Sequence, residues 1–253
     1  MTGCVTIIGL GPGDPRLLTQ AASEALAAAQ DLIGYIPYVA RVPERAGLTR
    51  HASDNRVEVD RARHALELAA SGRRVAVVSG GDPGVFAMAA AVFEAVEAGD
   101  PAWARLTITV EPGITAMLAA AAKLGAPLGG DFCAMSLSDN LKPWDVILAR
   151  LEAVLRADFV ISLYNPISSA RPWQLGKALG LAAEFRSGDT PVIFARAVSR
   201  PDEAIRILTL DRARETTADM ATMVIIGASA TRLITRGPGD QPYVYTPRSV
   251  SPA

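Results

Sequence analysis

Glycine, proline and aspartate are spaced in this chain as a loop that holds a small molecule needs them. Residues 5–19 read VTIIGLGPGDPRLLT. A β-branched apolar run stops at Gly9, a loop with Gly11, Pro12 and Gly13 follows, and Asp14-Pro15 opens a helix. Glycines let backbone approach a ligand closely, and a helix N-terminus presents free amides. The design returns at residues 74–90, RVAVVSGGDPGVFAMAA. There Gly80 and Gly81 allow close approach, and Asp82 can accept from a ligand amine or hydroxyl. A third strand end, ISLYNP from Ile161, sets Tyr164 and Asn165 at the border of a pocket, followed by Ser168, Ser169 and Arg171. Each feature also has a plainer reading: Asp14 caps its helix, SGGDPG makes a strand-to-helix turn, and Asn-Pro turns behind a half-buried tyrosine.

Familiar phosphate loops do not fit. In the dinucleotide pattern G-x-G-x-x-G the third glycine is replaced by Asp14, whose charge repels a pyrophosphate, and the strand ending at Gly34-Tyr35 lacks the acid for a ribose hydroxyl. No Gly-Lys-Ser/Thr follows either loop, which excludes a P-loop. The only histidines are His51, in an arginine-rich loop, and His64, on an expected helix at the surface or in packing, so no metal is expected.

These loops need strands and helices to hold them. Apolar runs and three- to four-residue spacings alternate along the chain. Strands are expected at 5–8, 31–33, 75–79 and 106–110, with helices at 15–29, 61–70 and 85–98. The strands are continuously apolar, as a parallel sheet covered on both faces requires. Glu111-Pro112-Gly113 breaks the pattern and marks a domain junction, giving domains 1–111 and 112–253. Beyond it come helices at 114–124, 144–156 and 173–185. Strands are expected there at 132–136, 159–163, 192–197, 205–209 and 223–226. The last two strands can pair antiparallel, so the second sheet is expected to be mixed, and the tail from Gly237 irregular. The fold class is α/β: two α/β domains, a parallel and a mixed sheet, with a cleft between them.

The chain has 253 residues, half of them hydrophobic, and a net charge of −1. Near-neutrality argues against nucleic-acid or membrane-surface binding by long-range attraction. Cys4 and Cys133 stand alone, without a CxxC, which fits a reduced interior. The apolar stretches at 85–93 and 114–122 fall short of the roughly 20 residues that span a bilayer. With no leader-like start, a soluble cytoplasmic protein is expected.

Four motifs in order, GLGPGDPRLLT, SGGDPGVF, EPGITA and LYNP, resemble the tetrapyrrole (precorrin) methylase family over nearly the whole chain. The resemblance implies transfer of a methyl group from S-adenosyl-L-methionine to a precorrin macrocycle, leaving S-adenosyl-L-homocysteine. GYIPYV at 34–39, SGGDPGVFAMA at 79–89 and LYNPISSARPWQL at 163–175 look most like the branch that methylates carbon 17 and contracts the ring. A sister branch with a cobalt-bearing substrate shares these motifs. Other acceptors (another precorrin carbon, ribosomal RNA) and a non-catalytic tetrapyrrole carrier are the competing readings.

By the same resemblance, the cofactor is held by Pro12, Gly80, Gly81, Asp82, Val85, Phe86, Thr115, Ala116, Tyr164, Asn165, Ala197, Thr222 and Met223. Gly11, Tyr35, Tyr38, His51 and Arg171 are expected at the substrate, and Asp14 is the first candidate general base, ahead of His51 and Tyr164. A precorrin carries several carboxylates, so a cationic rim is expected among Arg41, Arg45, Arg50, Arg56, Arg61 and Arg63, partly offset by Glu44, Asp54, Glu58 and Asp60. Family members are usually homodimers.

Overall fold

The computed structural model describes residues 3–54, 57–168 and 170–249; Arg56 of the arginine-rich stretch and Ser169 of the Tyr-Asn-Pro segment lie outside them. The chain divides into two compact units, Met1–Ala116 and Met117–Ala253.

The first unit contains β1 (Cys4–Gly9), α1 (Gln20–Ala28), β2 (Asp31–Tyr35), α2 (Ile36–Val39), β3 (Thr49–Ser53), α3 (Glu58–Ala70), β4 (Arg74–Ser79), α4 (Met88–Ala98) and β5 (Thr107–Glu111). Its sheet runs β3-β2-β4-β1-β5, with every pairing parallel. Alternate residues of the central strands point to opposite faces, and both faces are covered. Val5, Ile7, Ile33, Val75 and Val77 pack on α3 and α4. Ile8, Leu32, Ala76 and Val78 pack on Ala22 and Val39 from α1 and α2. On α3, Ala62, Ala65, Leu66 and Ala69 are buried at helical spacing.

Three expectations need correction here. The helix expected over 15–29 is two pieces. Asp14 caps a short 3-10 turn, Pro15–Leu17, and Thr19 Oγ1 accepts from the Ala22 amide at 3.1 Å to start α1. The helix expected from residue 85 starts at Met88, because Phe86 adopts φ 52°, outside helical space. His51 is not in a loop. It sits in β3, an edge strand whose sequence, TRHAS, lacks an apolar run.

Asp31 opens β2 and is only 2% exposed. It accepts from His51 Nε2 at 3.0 Å and from Arg73 Nε at 2.6 Å. Burial alone would raise its carboxyl, but the bonds from Arg73 and His51 outweigh it and hold the group below its ordinary value. A carboxyl held low when folded stabilises the protein above its unfolded pKa, and that stability is lost as pH falls through the folded value. Denaturant unfolding followed from about pH 6 to about pH 2 checks this. Wild-type protein should lose stability below the ordinary value of 3.8, and Asp31→Asn, weaker at neutral pH, should lose less over that window. Equal slopes would show that Asp31 carries none of the acid sensitivity.

The second unit contains most of α5 (Ala116–Leu124), then β6 (Gly125–Ala126), β7 (Phe132–Ser136), α6 (Trp144–Arg156), β8 (Val160–Tyr164), α7 (Gln174–Ala182), β9 (Pro191–Arg196), β10 (Ala204–Thr209), α8 (Leu210–Ala213), β11 (Thr222–Ile226), β12 (Arg232–Ile234) and β13 (Tyr243–Tyr245). The larger sheet runs β10-β9-β11-β8-β7; β7 and β8 are parallel and the other pairs antiparallel. It is mixed, as expected, but β10 and β11 do not pair with each other. Both flank β9. Ile147, Leu151 and Leu155 of α6 and Leu175, Ala178 and Leu179 of α7 fill its core. The tail is not wholly irregular: β13 pairs with β12 antiparallel and with β6 parallel. Cys133 is a free thiol that burial pushes up to about 11, so it stays protonated at neutral pH.

Candidate functional site

Parallel strands deliver their C-terminal loops to one edge of a sheet. In the first unit the loops after β1 and β4 meet there, backbone to backbone. Gly11 and Gly81 exchange two hydrogen bonds: Gly11 N to Gly81 O at 3.1 Å and Gly81 N to Gly11 O at 2.9 Å. Both glycines have positive φ, 65° and 66°. The segment after β5 passes against them. A Cβ on Gly113 would stand 2.2 Å from Gly81 O and 2.9 Å from Gly9 Cα. Asp82 ties the crossing together, since its Oδ1 accepts from Gly84 N at 2.8 Å and its Oδ2 from Gly113 N at 3.0 Å. A Cβ on Gly81 would meet Thr115 Cα at 3.5 Å, so Gly11, Gly81, Asp82 and Thr115 gather in one place.

Aromatic rings continue this surface. The Tyr38 ring lies so close over Gly80 that a Cβ there would come within 2.7 Å of it. Tyr35 meets Tyr38 edge to face at 5.5 Å. Arg41 spends its guanidinium on the first loop, donating to Leu10 O at 2.6 Å and Gly11 O at 3.1 Å. Asp14 accepts the Arg16 amide at 2.9 Å and pairs with the Arg16 guanidinium at 2.6 Å, which raises the arginine's pKa. Val85 is half-buried and Phe86 is 49% exposed.

In the second unit, Tyr164 Oη accepts the amide of Met117 at 3.1 Å, two residues along the chain from the buried Thr115. Asn165 has φ 50° and donates from Nδ2 to Ser136 Oγ at 2.9 Å. Ala197 has φ 46° and its amide bonds Ala221 O at 2.9 Å, beside buried Thr222 and Met223 at the start of β11. Left-handed backbone is costly without glycine and gathers where function fixes it. Among the described residues, three of the five such non-glycine positions, Phe86, Asn165 and Ala197, belong to the expected cofactor set.

Two expected substrate residues already have polar partners. His51 bonds Asp31 on one side and His64 Nε2 on the other at 3.2 Å, a chain missed in the sequence because β3 was missed. Arg171 donates to Asn140 Oδ1 at 2.6 Å and stands 2.7 Å from Asp139 Oδ1, an ion pair without hydrogen-bond geometry, so its charge is already countered. Met117 and Gly113 were not among the expected site residues; the Pro-Gly break and the EPGITA motif were the signals that point to Gly113.

The chemistry of the gathered loops suits a cationic cofactor. Segments 79–84 and 113–116 carry no lysine or arginine and one carboxylate. A phosphate would find no countercharge in them; a sulfonium or ammonium finds carbonyl oxygens and Asp82. Among the described residues, no group of three or more His, Cys, Asp or Glu is placed to hold a metal, and no helix is long and apolar enough to cross a membrane.

The chain belongs to the tetrapyrrole (corrin/porphyrin) methylases, whose family model matches residues 4–214, and it is a methyltransferase of that family. It is 55% identical over 248 residues to the precorrin-3B C(17)-methyltransferase of Sinorhizobium sp., covering 98% of this chain and 97% of that protein. A probable cobalt-factor III C(17)-methyltransferase of Salmonella typhimurium is 40% identical, over 90% of this chain and 93% of that protein. Among solved structures, the methyltransferase CobJ superposes with a TM-score of 0.90 at 54% identity, over 97% of this chain and 100% of that one. The uroporphyrin-III C-methyl transferase of Thermus thermophilus, solved with S-adenosyl homocysteine, gives a TM-score of 0.68 at 23% identity over 89% and 92% of the chains, which speaks for the fold alone.

Proposed function

We propose that this protein methylates precorrin-3B at carbon 17, with ring contraction to precorrin-4, using S-adenosyl-L-methionine. The observation that carries the reading is end-to-end identity of 55% with a precorrin-3B C(17)-methyltransferase. The close crossing of three glycine loops at Gly11, Gly81 and Gly113 supports it independently. We place the protein in the cytoplasm as a homodimer, with no nucleic-acid or membrane partner.

S-adenosyl-L-methionine supplies an already activated methyl group, so the protein's task is position and dryness. Gly80, Gly81, Asp82 and Thr115 offer the cofactor peptide groups and a carboxylate, with Pro12, Val85, Phe86 and Ala116 around them. By likeness to the family, we also assign Tyr164, Asn165, Ala197, Thr222 and Met223 to the cofactor. Tyr35, Tyr38 and Gly11 face the macrocycle. The test is incubation of pure protein with S-adenosyl-L-methionine and precorrin-3B, followed by mass spectrometry. One added methyl and a contracted product are expected, and unchanged substrate overturns the reading. Turnover of the cobalt-bearing analogue alone would assign the protein to the sister reaction.

Asp14→Ala should leave S-adenosyl-L-homocysteine affinity within about twofold and slow turnover roughly a hundredfold if Asp14 is the general base. Arg16→Ala separates base from scaffold. It removes the guanidinium from the Asp14 carboxylate and keeps the residue-16 amide on it, so a base keeps working, whereas a loop held by the ion pair fails as in Asp14→Ala.

A further inference from the structure

A cavity of about 360 Å³ lies between β3 and the start of α3, lined by His51, Ser53, Asp60, Arg61 and His64. Arg61 is only 5% exposed. Its Nε donates to Ser53 Oγ at 2.9 Å and its Nη2 to Asp54 O at 2.7 Å. Its Nη1 has only the Met88 thioether, at 3.4 Å. A thioether is a weak acceptor, and a guanidinium cannot shed its charge. Burial pushes the Arg61 pKa down and Glu58 pulls it back, yet no carboxylate pairs with Arg61 among the described residues. A buried cation without a counterion is expensive.

His64, three residues further along α3, lines the same cavity. With His51 donating to Asp31, the His51 Nδ1 accepts from His64 Nε2, and the rings stack edge to face at 4.8 Å. That leaves His64 Nδ1 without a bond among the described residues. The exposed Asp60 stands at the rim, 3.9 Å from Arg63.

The cavity is placed well for a substrate. Ser53 is level with Tyr35, and Gly34 with Val78, in a sheet where β3 lies two strands from β4. Two strand spacings are about 10 Å. A side arm of a flat macrocycle seated by the glycine loop spans that distance. Met88, which touches Arg61, begins the helix that leaves this loop.

We propose that this cavity binds one carboxylate side arm of the macrocycle, with Arg61 Nη1 as its charged donor and His64 at its mouth. The inference rests on the precorrin reading for the identity of the arm, but the anion site itself can be tested alone. Propionate, the arm's chemistry in isolation, is titrated into full-length protein carrying labelled histidines. Saturable shifts of the His64 and His51 ring resonances are expected, weakened roughly tenfold in Arg61→Lys and His64→Gln. The same variants should raise the Kd for precorrin-3B by about tenfold and leave S-adenosyl-L-homocysteine affinity unchanged. His64→Gln serves if the arginine variant does not fold, since Arg61 also braces Ser53 and Asp54. No saturable shift with propionate in the wild-type protein overturns the site. Propionate binding with unaltered precorrin-3B affinity in the variants overturns the arm, leaving a pocket for free small anions. If wild-type protein neither binds nor converts precorrin-3B, the functional reading falls, and the propionate titration still decides whether the anion site stands.

Discussion

Gly113→Ala is expected to lose at least about a hundredfold in turnover and roughly 3 kcal/mol in stability. The methyl would sit 2.2 Å from a carbonyl oxygen and 2.9 Å from the Gly9 Cα, and both neighbours are main chain. A flexible side chain could swing away, whereas backbone held in a sheet must move as a loop. Moving it stretches the Gly113 N–Asp82 bond and the Gly11–Gly81 exchange, so the glycine loops shift with it. Gly176→Ala is the matched control. It lies in α7 with nothing within 4 Å of the added atom, so it should be neutral or stabilising by up to about 1 kcal/mol. Thermal unfolding and initial rates of the two variants check the contrast. Wild-type turnover in Gly113→Ala would mean that the crossing does not shape the site.

Asp82→Ala should weaken S-adenosyl-L-homocysteine binding by about ten- to a hundredfold. The carboxylate has two tasks and one geometry. Each oxygen accepts a main-chain amide, and without it the part-buried Gly113 N–H loses its partner. Asp82→Asn is more telling, because its amide has one acceptor where the structure needs two. Either orientation turns an NH₂ group toward Gly84 or Gly113 N–H. Asparagine should therefore fall close to alanine, which calorimetry can read directly. Full affinity in Asp82→Asn would show that neither the second main-chain bond nor the charge of Asp82 is needed for cofactor binding.

Local patterns on single elements were legible in the sequence. The apolar runs of β1, β2 and β4 announced a parallel sheet, since a strand buried on both faces has no polar alternation to hide behind. Glycine spacing announced the strand ends where backbone comes close, as it does between Gly11 and Gly81. Pairing and convergence were less so. β3 escaped because an edge strand is half solvated, and Thr49, Arg50 and His51 meet that demand without a hydrophobic signal. The break at Leu18 was hidden by an apolar periodicity that runs across two separate caps, Asp14 and Thr19. The β10–β9–β11 order was unreadable from proximity in sequence, because α8 and the turn after it carry the chain past β9. The Asp82–Gly113 bond joins residues too far apart along the chain for any window to connect them. Asp31, His51 and Arg73 were each visible as residue types, but only the sheet register assembles them.

The left-handed backbone at Phe86 and Ala197 has a consequence for anyone engineering this protein. Each such residue carries about 1–3 kcal/mol of conformational cost that glycine would relieve. A library screened for heat resistance alone would therefore be drawn to glycine at both positions, trading away the ordered backbone there for robustness. Selection should score catalysis and melting together, and enrichment of glycine at either position in a heat-only screen would mark where the native chain trades robustness for activity.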